Sequence, residues 1–130
     1  QPHRLAGRED VLDAVTSGAH QVLDARPAAR FAGSAAEPRP GMRSGHMPGA
    51  LNLPFVQLLN ERGELAGHPD HFRAAGLRDD TPVITTCGSG VTACILALGL
   101  ERLGRTAAVY DGSWAEWGSR DDTPIEAGRD

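Results

Sequence analysis

The sequence predicts a doubly wound α/β domain in which a parallel sheet is covered by helices on both faces. Three observations carry that expectation. Short apolar runs with strand character alternate along the chain with segments of helical period, the order that builds βαβ units. Glycines stand where the helical patterns stop, at Gly18, Gly76 and Gly104. A chain of 130 residues, 40% hydrophobic and 23% charged, can bury roughly two-thirds of its unfolded surface around one core but not around two.

Each element follows from its local pattern. Arg8 to Ser17 places Val11, Leu12, Ala14 and Val15 at helical spacing and stops at Gly18, a short amphipathic helix. Gln21 to Ala25 is an apolar strand that leaves Asp24 and Arg26 at its carboxyl end before Pro27. Pro27, at a first helical position, opens a turn of helix through Phe31. Gly33 to Gly49, rich in Gly, Pro and charge and without a period, is a long loop of the kind that carries function. Ala50 to Leu53 is a strand closed by Pro54, Phe55 to Asn60 a helical turn, and Pro69 to Ala75 a short helix. Pro82 to Thr86 is the clearest buried strand and runs into Cys87-Gly88-Ser89-Gly90, after which Val91 to Leu103 forms a long apolar helix. Ala107 to Tyr110 is a further strand, Asp111-Gly112 a turn, and Ser113 to Trp117 a short helix capped by Ser113.

Composition excludes several functions. The longest apolar run, Val91 to Leu100, is broken by Thr92 and Gly99 and falls short of the roughly 18 residues of a membrane span. The 13 basic residues are all Arg, scattered singly against 17 acidic ones for a net charge of −4, which argues against a nucleic-acid surface. The opening residues lack both an apolar leader core and an initiator Met, so the chain reads as a piece of a longer protein. Cys87 and Cys94 make neither a disulfide framework nor a zinc pattern, which points to free thiols in a reducing compartment, the cytoplasm. The histidines at 3, 20, 46, 68 and 71 are dispersed, so neither a metal nor a cofactor is expected.

In open parallel sheets ligands sit beyond the carboxyl ends of the strands, and two groups fall there: Asp24-Ala25-Arg26 and Cys87-Gly88-Ser89-Gly90. Cys87 stands between a buried strand and a helix, so the amides of Gly88 to Thr92 can turn toward its sulfur. Unpaired amides and a helix dipole at that point favour a thiolate with no His or Lys beside it, and Gly88 and Gly90 give the backbone freedom such a nest requires. A buried structural cysteine remains the alternative on these residues alone.

The string Cys87-Gly88-Ser89-Gly90-Val91-Thr92-Ala93 resembles the active-site loop of rhodanese-type sulfurtransferases, in the version found in 3-mercaptopyruvate sulfurtransferases. Two further blocks agree, Gly45-His46-Met47-Pro48-Gly49-Ala50-Leu51-Asn52-Leu53-Pro54 and Asp111-Gly112-Ser113-Trp114-Ala115-Glu116-Trp117-Gly118, so the resemblance runs from about Val22 to Pro124. It implies one rhodanese domain over residues 1–130, a three-layer αβα fold on a central, mostly parallel five-stranded sheet. It also implies transfer of a sulfur atom through a persulfide on Cys87, from a small donor to a thiol, thioredoxin or cyanide. Within the family, thiosulfate-preferring loops carry basic residues after the cysteine, whereas this one carries Gly88 and Ser89. A neutral loop suits a donor whose sulfur leaves carbon, 3-mercaptopyruvate, with Ser89 as the hydroxyl that helps move a proton; its plain alternative is a helix cap. Thiosulfate remains the alternative donor, and a non-catalytic binding module the alternative use, which usually goes with loss of the cysteine. Phosphatases of this fold place an arginine six positions after the cysteine, where this chain has Ala93.

The segments Ala29-Arg30-Phe31-Ala32-Gly33 and Glu37-Pro38-Arg39 look like those that supply two arginines to the mercaptopyruvate carboxylate and carbonyl, a task the guanidinium fork suits; ordinary solvated arginines are the alternative. Gly88, Gly90, Val91 and Thr92 complete the expected substrate-binding set. Asp24, Arg26 and His46 are expected to organise loop and turn. Cys94 is expected to face the core as an inert filler, and Trp114 and Trp117 to pack rather than bind. Mercaptopyruvate sulfurtransferases join two rhodanese domains in tandem with the reactive cysteine in the second. This chain is read as that second domain, with an amino-terminal rhodanese domain as its partner.

Overall fold

The structure, a computed structural model, describes residues 4–35, 41–59, 62, 69–78, 80–88, 92–105, 107–110 and 112–126. Among them five strands form one sheet: β1 (Arg4–Ala6), β2 (Gln21–Asp24), β3 (Leu51–Asn52), β4 (Val83–Thr86) and β5 (Ala107–Tyr110). The order is β1-β5-β4-β2-β3, and every pairing is parallel. Helices connect the strands: α1 (Arg8–Ser17), α2 (Ala28–Ala32), a 3-10 turn at Phe55–Leu58, α3 (Pro69–Ala74), α4 (Ala93–Arg102) and α5 (Ser113–Trp117).

A parallel sheet must be covered on both faces, and its strands divide their side chains between two cores by their period of two. Val83 and Cys87 of the β4 segment, with Leu23, Ala107 and Val109 of its neighbours, pack under Leu96, Ala97 and Leu100 of α4, Phe72 of α3 and Leu58 of the 3-10 turn. Ile84, Val22, Ala6 and Tyr110 face the other way, onto Val11 and Ala14 of α1, Phe31 of α2 and Trp114 and Trp117 of α5. These three αβα layers on a five-stranded sheet are what the sequence resemblance implies.

Three local expectations need correction. Residues 4–6 form β1, a strand not foreseen because it is a three-residue edge on β5 whose Leu5 is 74% exposed, leaving no apolar period to read. Pro27 caps α2 from outside at φ −55 and ψ 149 instead of occupying its first position. Gly112 is the N-cap of α5 and no side chain caps it; Ser113 is its first helical residue.

At the carboxyl end of β2 lies a fully buried ion pair. The Arg26 Nη2 donates to Asp24 Oδ2 at 2.9 Å, its Nε lies 3.1 Å from both Asp24 oxygens, and each side chain is 1% exposed. The same Nη2 donates to the Gly45 carbonyl at 2.7 Å, and the guanidinium lies 4.3 Å from the Trp114 ring centroid. Asn52 ties β3 to this corner by donating to the Asp24 and Arg26 carbonyls at 3.1 and 2.9 Å. Asp24, Arg26 and His46, all buried, thus act as organisers. Removing one partner of such a pair strands a buried charge, at a cost of about 3–5 kcal/mol. Arg26→Met is therefore expected to lower unfolding stability by about that much. In urea denaturation the double variant Asp24→Asn/Arg26→Met should lose clearly less than the sum of the two single changes.

Candidate functional site

Cys87 follows the last residue of β4 and is 1% exposed. Its position is fixed from across the sheet by the start of α5. The Trp114 amide donates to the Cys87 carbonyl at 2.7 Å and the Ala115 amide to the Gly88 carbonyl at 2.9 Å, so the opening amides of α5 hold the entry of the loop. The Ser113 hydroxyl donates to the Tyr110 carbonyl at 2.9 Å and accepts the Cys87 amide at 3.3 Å, with the Cys87 sulfur at 3.9 Å. Because the single hydroxyl proton is directed to Tyr110, Ser113 offers Cys87 its lone pairs.

Ser113 holds φ at 51°, the one positive value among described non-glycine residues. A non-glycine residue in this region costs on the order of 1–3 kcal/mol and persists only where its surroundings impose it. The preceding position is crowded as well, since a Cβ on Gly112 would collide with the Glu116 side chain. The helix cap expected at Ser113 is thus replaced by its contacts with the Tyr110 carbonyl and the Cys87 amide.

Behind α5, the Tyr110 hydroxyl donates to the Glu116 carboxylate, whose other oxygen lies 3.3 Å from Arg8 Nη1. Burial first, and then the hydrogen bond and charge of Glu116, push the tyrosine well above its ordinary value near 10.

The expected site residues fall into three groups. Cys87, Gly88 and Thr92 are described: Gly88 is half-buried at the loop entry and Thr92 precedes α4 in helical geometry. Arg30 sits in the last turn of α2 and is half-buried. Its guanidinium makes no hydrogen bond or ion pair among the described residues, and α2 follows β2, the parallel neighbour of β4, so Arg30 and Cys87 both stand beyond the carboxyl ends of adjacent strands. Ser89, Gly90, Val91 and Arg39 lie outside the described residues.

Cys94 corrects the expectation made for it, since it is exposed. The buried stripe of α4 is Ala93, Leu96, Ala97 and Leu100. Cys94 belongs to the outward row with Leu98 and Arg102, one residue around the helix from the stripe. Trp114 and Trp117 are buried, and their indole N–H groups donate at 2.8 Å to the carbonyls of Arg43 and Pro124. Among the described residues no helix is long and apolar enough to cross a membrane and no cluster could hold a metal ion.

The chain is similar to known proteins over nearly its whole length. A sequence model of the family described as Rhodanese-like domain matches residues 8–120. The 3-mercaptopyruvate sulfurtransferase of Escherichia coli strain K12 is 46% identical over 129 residues, which are 96% of this chain and 46% of that protein. The mitochondrial thiosulfate/3-mercaptopyruvate sulfurtransferase 1 of Arabidopsis thaliana is 44% identical over 131 residues, 98% of this chain and 35% of that protein. The crystal structure of the Tum1 protein from Saccharomyces cerevisiae superposes with a TM-score of 0.85 at 33% identity, over 98% of this chain and 47% of that one. This chain therefore spans between about a third and a half of these relatives.

Tyr110 is the sole tyrosine of the sequence, so its titration is readable by ultraviolet absorbance. The folded protein holds the phenol proton beyond the pH where an unfolded tyrosine, near 10, releases it. This contribution to stability is full below that pH and declines as the pH rises above it. Tyrosinate absorbance is expected to appear together with unfolding in circular dichroism at alkaline pH; a simple titration near 10 with the fold intact would contradict the assignment.

Proposed function

Because the chain belongs to the rhodanese-like domain family, we propose that it is the sulfur-transferring domain of a sulfurtransferase that uses 3-mercaptopyruvate. The single observation that carries the proposal is the seat of Cys87 at the carboxyl end of β4, held by the amides of α5. In the first step the Cys87 thiolate attacks the donor sulfur. The S–S bond forms, the C–S bond breaks, and its electron pair leaves as the enolate of pyruvate, which takes up a proton. In the second, a thiol, thioredoxin or cyanide attacks the outer sulfur of the persulfide and releases the Cys87 thiolate; with cyanide the product is thiocyanate. No redox cofactor enters either step.

Roles follow from chemistry. Arg30 and Arg39 take the donor carboxylate and carbonyl, and Arg30 has a guanidinium uncommitted among the described residues. Ser89 hydrogen-bonds the donor thiol and moves its proton, while the amides of Gly88, Gly90, Val91 and Thr92 hold the anionic outer sulfur. Ser113 acts on the cysteine's backbone, fixing the direction from which Sγ attacks. The neutral residue Gly88 and the name of the Escherichia coli relative favour 3-mercaptopyruvate, whereas the name of the Arabidopsis relative adds thiosulfate, the second donor to be compared. A free-thiol mechanism suits a reducing compartment such as the cytoplasm. Because the relatives are two to three times as long, a preceding rhodanese domain is proposed as the partner that closes the cleft, exclusion of water and better positioning being its contributions.

Intact mass spectrometry tests the reaction directly. After 3-mercaptopyruvate the protein is expected to gain the mass of one sulfur, and after cyanide to lose it; Cys87→Ser should gain none while keeping its circular dichroism, and Cys94→Ser should behave as the parent. A sulfur gained by the Cys87→Ser protein would overturn the assignment of the nucleophile.

Arg30→Ala should raise KM for 3-mercaptopyruvate far more than for thiosulfate, by the equivalent of about 1.5–3 kcal/mol, the loss of a charge-assisted hydrogen bond. Equal effects on the two donors in steady-state assays would return Arg30 to the solvent.

A further inference from the structure

Residues 42–49 run between the two helices on which the site is built. Toward α2, which carries Arg30, the His46 ring stacks on Phe31 with centroids 3.9 Å apart and planes 6° from parallel, and its Nδ1 donates to the Phe31 carbonyl at 2.6 Å. Toward α5, which seats Cys87, Arg43 grips the helix with backbone and side chain together. Its amide donates to the Gly118 carbonyl at 2.9 Å and its Nε to the same carbonyl at 3.3 Å. Its Nη2 donates to the Trp117 carbonyl at 3.1 Å and to the Thr123 hydroxyl at 2.8 Å, and its own carbonyl accepts the Trp114 indole N–H at 2.8 Å.

A helix of five residues has few internal hydrogen bonds of its own, so what holds its ends sets where it lies. One end of α5 carries the carbonyls of Cys87 and Gly88, as described above. The other leaves its last carbonyls to a guanidinium, the donor and charge that suit a helix C-terminus. Between them, residues 42–49 make a strap from Phe31 and Arg30 on one side to the seat of Cys87 on the other.

We propose that Arg43 is a positioning residue that sets the spacing between the Arg30 guanidinium and the Cys87 sulfur, and so fits the site to a small anionic sulfur donor. Its hydrogen bonds go to α5 and the residues after it, not to the cysteine, so it acts through α5. The inference rests on the sulfur-transfer reading given above, and two readouts separate their fates.

The test uses Arg43→Met, which keeps the apolar stem and removes the donors, and Arg43→Lys, which keeps the charge on a compact head, both in a Cys94→Ser background so that one thiol is counted. Folded fraction is set by circular dichroism, and all constants are taken per mole of Cys87 thiol. Arg43→Met is expected to raise KM for 3-mercaptopyruvate roughly tenfold and to lower kcat, since misplacement by about 1 Å can cost up to a hundredfold. It should also lower, by a similar factor, the ratio of Cys87 alkylation by anionic iodoacetate to that by neutral iodoacetamide. Arg43→Lys should recover part of both. Unchanged KM, kcat and alkylation ratio in the folded variant would overturn the proposal. So would equal slowing by both reagents, which a merely structural role predicts. The ratio requires no sulfur transfer, so a parent protein that transfers none while Arg43→Met loses the ratio would overturn the functional reading and keep the positioning role. If Arg43→Met does not fold, Arg43→Lys decides by the same two readouts.

Discussion

The buried pair of Asp24 and Arg26 is the contact on which the site depends. A guanidinium with 1% of its side chain exposed is tolerable only where nearly every donor is met. Arg26 meets that demand by reaching in three directions: to the carboxylate at the end of its own strand, to the Gly45 carbonyl, and to the face of Trp114. Each contact fixes a different chain segment against the carboxyl edge of the sheet. The charge at the end of β2 thus decides where residues 42–49 run and how α5 lies, and α5 in turn decides where Cys87 sits.

The strain at Ser113 makes sense within that arrangement. A positive φ on a serine is unfavourable in isolation. The helix it opens is anchored at its far end by Arg43 and along its side by Arg26, so Ser113 is held where its surroundings put it. What the strain obtains is direction. With the Ser113 hydroxyl between the Tyr110 carbonyl and the Cys87 amide, and the next two amides on the Cys87 and Gly88 carbonyls, the backbone entering the loop is held at three consecutive points.

Much of the fold was legible because it is written in periodicity and punctuation. The bounds expected for α1, β5 and α5 agree with those observed, since each pattern ends at a glycine or turn that leaves the chain little choice. The position of Cys87 was legible too, because a buried apolar run ending at a cysteine and a glycine puts that cysteine at the carboxyl end of a strand. What was not legible falls into two kinds. β1 and the facing of Cys94 lie beyond what pattern shows, the first because three residues carry no period and the second because Cys94, an apolar residue type, stands one step around the helix from the buried stripe at 93, 96, 97 and 100. Arg43 and the true contact of Ser113 were hidden for another reason. Apart from the Thr123 hydroxyl, their partners are backbone carbonyls and amides, which every residue possesses, so residue type elsewhere in the sequence does little to mark where they will be found.

The two cysteines show how placement and accessibility separate. Cys94 is exposed on the outer row of α4 and Cys87 is nearly shut off from solvent, although they stand only seven positions apart. Exposure favours reaction with any small oxidant, whereas a buried thiol reacts only with a molecule that the surrounding groups admit and orient. On the sulfur-transfer reading this burial also explains why a persulfide is the right carrier. Adding one sulfur extends the side chain by an S–S bond of about 2 Å, so the atom to be delivered stands farther out than the one that captured it. On that reading the capturing sulfur stays buried, as Cys87 is, while the transferred one stands closer to the acceptor.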